Sequence, residues 1–460
     1  MRCRVIILLA TSLVAASVPA SAHGGLPISE AIFWKGDTMY VPAYFWGLFY
    51  GSDGGPWRWI CEEAVNGKRD RKWALQGDGT FHATDFGPPQ GSGITSSRDG
   101  GCTWIPATGE IARRSTSMVI ADPADPRRAW ATTDQYSDTG NTDGGVIAWN
   151  ALFTTVDGGV TWTPTLMADE YLRGVAISPD GQRIYVTGAP RAVGAMNQPA
   201  LHVSKDGGKG WSSVHFNYQL AGFTPSHIVA LAVDPNDVDT LYARAEEDPT
   251  SSLIRISSDG ATVTEVVRAD GATNQLGIGG VAFDPAAKTL YIGAKSGLYR
   301  SVDRGPAQKI SNLDQAQCVS LHGGKTYACS WNYPPDNAAI ARSDDGGASF
   351  KKVFQYAETV APIDTCPASS PVGMICPAVW TGYCAMLGID QCASGPGPAR
   401  DAGPDAATPA PSTHGCSCAL DPEAKAKAKG TSEAWTTLGM VAVAAGMLRV
   451  RVRRRRASGR

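Results

Sequence analysis

Ser97 to Trp104 reads SRDGGCTW, Thr155 to Trp162 reads TVDGGVTW, and Ser204 to Trp211 reads SKDGGKGW. Each stretch is a hydroxyl residue, any residue, Asp-Gly-Gly, and then an aromatic that opens the next apolar segment. Ser343 to Phe350, SDDGGASF, repeats the pattern with Phe in the Trp position, and weaker copies surround Asp53 (GSDGGPWRW), Asp259 (SSDGATV) and Asp303 (SVDRGPA). The central residues Asp53, Asp99, Asp157, Asp206, Asp259, Asp303 and Asp345 are spaced by 46, 58, 49, 53, 44 and 42 residues. The chemistry is that of a tight turn: the carboxylate accepts backbone N–H bonds, glycine takes positive φ, and the hydroxyl adds a local bond. The aromatic then buries its ring between sheets.

Residues 278–303, IGGVAFDPAAKTLYIGAKSGLYRSVD, show what lies between two turns. An apolar strand at Val281 to Phe283, an Asp-Pro turn, a strand at Leu290 to Gly293 and another at Leu298 to Ser301 lead into the motif. The same order recurs at Val175 to Asp206 and at Val229 to Asp259. Short strands at this period predict an all-β fold, a seven-bladed β-propeller of four-stranded antiparallel blades over residues 23–360. The weak copies at Asp53, Asp259 and Asp303 leave six and eight blades open.

The ends read differently. Residues 1–22 carry Arg2 and Arg4, an apolar run from Val5 to Ala16 and Ala20-Ser21-Ala22, the pattern of a cleaved secretory signal. Residues 394–415, SGPGPARDAGPDAATPAPSTHG, are an extended, disordered Pro/Ala/Gly linker by composition. Residues 416–460 begin with Cys416-Ser417-Cys418, continue through an apolar run predicted as a hydrophobic helix over 434–448, and end in an Arg cluster. That order reads as a membrane anchor with its cationic end inside.

Without Arg2, Arg4 and the tail, the chain keeps 29 basic and 40 acidic residues of the 41 and 43 in the whole sequence. A surface near −11 repels phosphate backbones, which argues against nucleic acid as a partner. Of the 11 cysteines, all but Cys3 lie beyond the leader, and an exported chain meets oxidising conditions. Cys61 and Cys102 follow the first two turns at similar positions and are placed to bridge neighbouring blades. Cys318 and Cys329 flank a short hairpin. Cys366, Cys376, Cys384 and Cys392, in a disulfide-rich segment over 361–393, allow three connectivities among themselves.

The turn resembles the Asp-box, or BNR repeat, of sialidases, sortilin-type receptors, photosystem II assembly factors and some xyloglucanases. The resemblance implies a propeller with the boxes between third and fourth strands, and a ligand face at the opposite end. The tail resembles the sorting tail of myxobacterial surface proteins, and residues 23–356, with WGLFYGSDGGPWRWICEEA at Trp46 to Ala64, look like a group of secreted myxobacterial propellers. That likeness implies an exported, cell-surface protein, with Cys416 and Cys418 as its sorting cysteines.

On the expected ligand face the connections between second and third strands vary in length: 133–147, 189–199, 246–252 and 331–337. Length variation on one face suggests a binding surface. Tyr136, Trp331 and Tyr333 offer an aromatic platform for a sugar or peptide. Asp134, Asp138 and Asp143 in the first loop have the oxygen chemistry for Ca²⁺ but not EF-hand spacing, and no cofactor motif is present. Asp85, Glu110, Asp134 and Glu170 are the carboxylates in or near these loops that a glycosidase would need as an opposed pair. The early Arg-Ile-Pro motif of sialidases is missing from 32–45. The expectation is a monomeric, noncatalytic module binding a glycan, peptide or protein, with glycoside hydrolysis as the alternative.

Overall fold

The computed structural model describes residues 26–389 apart from 66–71, 85–92, 135–148, 191–198, 216–224, 226, 248 and 272–276. The leader, the linker, the tail with its helix at 434–448, and Cys392, Cys416 and Cys418 lie outside the described residues.

The described residues form seven sheets, each of four sequential antiparallel strands, at 33–60, 73–106, 116–168, 170–215, 227–269, 278–309 and 318–354. We number them blades 1 to 7. Second strands are buried on both faces, because each sheet is sandwiched between two neighbours. Thr289–Ala294, TLYIGA, is buried throughout and therefore reads as a continuous apolar run rather than an alternating one. Outer strands face solvent, and Ser212–His215 is exposed at every position.

All seven box aspartates fall in the hairpin between third and fourth strands. In blade 3, Asp157 Oδ1 accepts from Thr155 Oγ1 (2.8 Å), the Val160 amide (3.0 Å) and the Thr161 amide (3.0 Å). The Gly159 amide donates to Thr155 Oγ1 at 2.9 Å, and Trp162 Nε1 donates back to the Gly159 carbonyl at 3.3 Å. Gly159 has φ 81° and a Cβ there would lie 2.2 Å from Ser96 Oγ of blade 2, so only glycine fits. Asp99, Asp206 and Asp345 repeat this bond set. The weak copies depart from it. Arg304 stands where a box glycine belongs and takes φ 60° itself, while Asp53 pairs with Arg342 of blade 7.

The boxes are also linked to one another. Arg98 Nε donates to the Gly158 carbonyl of the next box at 3.0 Å, Lys205 Nζ lies 2.7 Å from Asp259, and Arg255 donates to the Arg304 carbonyl at 3.3 Å. With the Arg342–Asp53 pair, four of the seven junctions carry a basic side chain from one blade's third-strand end to the next box.

Burial pushes the Asp99 carboxyl up, but bonds from Thr103, Ser97 and Cys102 together hold it below the usual carboxylate range. With its folded pKa depressed, the group contributes stability above the unfolded carboxylate range, and the contribution is lost as pH falls through the folded value. Asp99→Ala is expected to cost about 1–2 kcal/mol at pH 7 and progressively less toward strong acid. Thermal unfolding of parent and variant across that range checks it.

The ring is closed by the segment after blade 7. Thr359–Pro362 adds a fifth strand to blade 1, parallel to Trp57–Ile60. A helix, α1, follows at Pro371–Met386, capped by Ser370 Oγ, which accepts from the Gly373 amide at 3.1 Å. Its buried face, Val372, Cys376, Trp380, Tyr383 and Cys384, packs against Trp46 and Trp59.

Here the expected cysteine pairing is corrected. Cys61 bonds to Cys376 and Cys102 to Cys366, so blades 1 and 2 are each stapled to the C-terminal segment and not to each other. Cys318 bonds to Cys329 across adjacent strands, and Cys384 is also disulfide-bonded. The four late cysteines are therefore no self-contained cluster. The helix carries Cys376 to blade 1, and the stretch ahead of it carries Cys366 to the blade 2 box.

Candidate functional site

The ends of the second strands and the starts of the third strands, together with the described parts of the crossings between blades, lie at the end opposite the boxes. There the structure places Glu110, Asp134 and Glu170 on blades 2 to 4; Asp85, Tyr136, Asp138 and Asp143 lie outside the described residues.

Glu110 precedes the short turn Ile111–Arg113, and its Oε1 lies 2.7 Å from Arg114. The Arg114 guanidinium stacks 3.8 Å from the Trp149 ring and donates to the Trp149 carbonyl at 2.8 Å. Asp134 ends the second-strand run of blade 3, with its side chain 0% exposed. Its Oδ2 is 3.3 Å from Arg173 of blade 4, and Ser115 Oγ donates to its Oδ1 at 3.2 Å. Burial raises the Asp134 carboxyl to about 6, with Arg173 and Ser115 offsetting part of the rise. Glu170 opens the first strand of blade 4 and stands 3.8 Å from His202 Nε2 and 3.9 Å from His215 Nε2.

Sequence reading missed Glu246 at the end of the second strand of blade 5. Burial works to raise its pKa, but Arg244 at 2.6 Å and His227 at 2.5 Å bring it down to about 2. Arg244 also donates to the Ile278 and Gly279 carbonyls of blade 6 at 3.3 and 3.2 Å. The only advance signal was the ArgAlaGlu order at Arg244 to Glu246, which puts the two charged groups on one face of a strand.

Trp331 and Tyr333, expected as a platform, stand in the connection between the second and third strands of blade 7. Trp331 and Tyr333 are half-buried with ring centroids 5.5 Å apart in an edge-to-face arrangement, and Pro334 and Pro335 beside them are exposed. Asp336 builds this loop, accepting from the Asp314 and Gln315 amides (2.9 and 3.1 Å) and Ser330 Oγ (2.8 Å). Its role was not legible because those donors come from the preceding crossing as well as from its own loop. Among the described residues no three or more His, Cys, Asp or Glu side chains are gathered to hold a metal ion, and no helix is long and apolar enough to cross a membrane.

The strand order, the registers and the seven boxes define the class: a seven-bladed β-propeller with BNR-type turns. The family model of photosynthesis system II assembly factor YCF48 matches residues 136–243. A search of curated proteins finds no match to the chain. Among solved structures, the chain is similar to the Niastella koreensis GH74 enzyme (17% identity, TM-score 0.48), covering 73% of this chain and 55% of that one. Hydrazine synthase of Kuenenia stuttgartiensis is similar at 14% identity and TM-score 0.46, with 73% and 99% covered. The Cps50 (Swd1) β-propeller domain of Myceliophteria thermophila is similar at 10% and 0.42, with 66% and 94% covered. These likenesses are distant, and the propeller assignment rests on the strand pairing.

Proposed function

We propose that the protein is a noncatalytic binding propeller that takes a glycan, peptide or protein partner at the loop end. One observation carries this reading: each described candidate carboxylate there, Glu110, Asp134, Glu170 and Glu246, has a basic side chain within 4 Å. A glycosidase needs one carboxyl protonated and another ionised, both facing the sugar. Asp134 has the raised pKa of an acid but is wholly buried against Arg173, which makes it a strut between blades. The leader pattern, the linker and the tail support export and attachment at the cell surface, with the propeller held away from the membrane as a monomer. The acidic surface supports a partner other than nucleic acid.

The test is binding to immobilised glycans and to surface proteins, with the disulfides intact. Trp331→Ala and Tyr333→Ala are each expected to weaken the retained ligand about tenfold, with unchanged thermal midpoints. Undiminished binding by both variants would move the site away from blade 7.

A further inference from the structure

Blade 1 alone among the described sheets carries a fifth strand, and its surroundings show what an outer strand of this fold can bind. Thr359–Pro362 runs parallel to the fourth strand, with Thr359 opposite Trp57, Ala361 opposite Arg58 and Pro362 opposite Trp59. The Ile363 amide then donates to the Trp59 carbonyl at 2.9 Å, and Cys366 reaches the blade 2 box to bond Cys102. These walls are covered: Trp57 is 3% exposed, Trp59 0% and Cys102 5%.

The corresponding walls between blades 2 and 3 are exposed. Registers fix the correspondence: Tyr50 pairs with Arg58 and Phe49 with Trp59 in blade 1, while Ser96 pairs with Ile105 and Thr95 with Pro106 in blade 2. Tyr50 and Ser96 each stand three residues before their box aspartate. Ile105 and Pro106 therefore hold the places of Arg58 and Trp59. Val160, three residues after Asp157, stands in the blade 3 box where Cys102 stands in that of blade 2. Ile105 is 60% exposed and Val160 45%, and with Thr103, Pro106 and Gly159 they line a cavity of about 430 Å³. The Ala107 amide donates inward to the Ile94 carbonyl at 2.8 Å, so alternation turns the Pro106 carbonyl outward, as the Trp59 carbonyl is. Proline gives up only an outward N–H there. No described strand pairs with the outer side of Ile105–Pro106, and an open edge beside apolar side chains is a template for strand addition.

We propose that the groove between blades 2 and 3 binds an extended apolar peptide segment of a partner protein, added parallel to Ile105–Pro106 as Thr359–Pro362 is added to blade 1. The segment donates an amide to the Pro106 carbonyl and lays an apolar side chain between Ile105 and Val160. In every copy of this chain the Cys102–Cys366 bond commits residues 359–366 to blade 1, so the segment comes from a different protein. This site lies at the boxes and stands independently of the loop-end reading.

The experiment uses the full chain with its disulfides intact and, as probe, the peptide TVAPIDT, residues 359–365, carrying a fluorophore. Binding to the parent is expected to be about tenfold tighter than for a scrambled peptide of the same composition, and Ile105→Asp should weaken it to the scrambled level. Ile105 is an exposed residue of a two-residue strand, so this variant folds, and an unchanged thermal midpoint checks that. A second measurement reads weak binding. Val160→Cys is mixed with TVAPIDTC, residues 359–366, held as its glutathione mixed disulfide; the introduced thiolate attacks the peptide sulfur and releases glutathione thiolate. Adduct formation, counted above that of the parent, should be about tenfold faster than with a scrambled peptide ending in the same cysteine. Equal rates for the two peptides, or binding that Ile105→Asp leaves intact, overturns the proposal. A dimer of the parent that Ile105→Asp dissociates would give the groove to a second copy and overturn it as well.

Discussion

Replacing Cys61 and Cys376 with serine is expected to lower the thermal midpoint by about 5 °C, more than replacing Cys318 and Cys329. The two residues are separated by 315 positions. With Cys102–Cys366 still closed, the loop this bond removes from the unfolded chain shrinks to about 50 residues, for which chain entropy gives about 4 kcal/mol. The bond also holds α1 against Trp59 and Trp46, so its loss frees the helix that covers blade 1. Cys318 and Cys329 are only 11 residues apart, and removing that bond should cost about 3 kcal/mol. Calorimetry of the two serine pairs checks the order. Equal or inverted effects would mean that the C-terminal segment does not close the ring.

Arg173→Met is expected to destabilise the fold by about 3 kcal/mol above pH 7, because it leaves the Asp134 carboxylate buried without its cation. Burial raises Asp134 to about 6 in the folded protein. The folded state thus holds a proton that the unfolded chain releases near 4, so this group costs stability progressively as pH rises from about 4 to about 6. Without Arg173 the folded pKa rises further, the cost grows, and its upper limit moves to higher pH. The deficit of Arg173→Met should therefore shrink when unfolding is measured at pH 5, and Asp134→Asn in the same background should recover most of the loss at pH 7. A deficit independent of pH, or no recovery, would place the role of Arg173 in packing alone.

The fold was legible because the box is local chemistry. Thr155, Asp157, Gly159 and Trp162 bond almost wholly among themselves, so a spacing of seven residues specifies the hairpin before any neighbour is known. Even the weak copies at Asp259 and Asp303 kept their hairpins, with Arg304 accepting a left-handed backbone where glycine was missing. What failed to read out depends on residues distant in sequence. Cys61 and Cys102 occupy similar places after two boxes and invite pairing with each other, yet their partners arrive only when the chain returns past blade 7. Arg98 and Lys205, which join boxes to boxes, looked like filler in the variable position of the motif. At the loop end, the sequence offers Asp134 as a carboxylate for calcium or for a glycosidase pair because it opens an acidic loop. The structure instead turns it inward to Arg173 of the next blade.

The measurement closest to the central claim is product release. The oxidised, folded protein is incubated with sialosides and with plant, fungal and bacterial polysaccharides, and released sugars and new reducing ends are quantified beside retention on the same polymers. A noncatalytic propeller predicts no release from any substrate, including those it retains. Release that disappears in Glu110→Gln, Glu170→Gln or Glu246→Gln while retention persists would contradict it and make the loop end an active site.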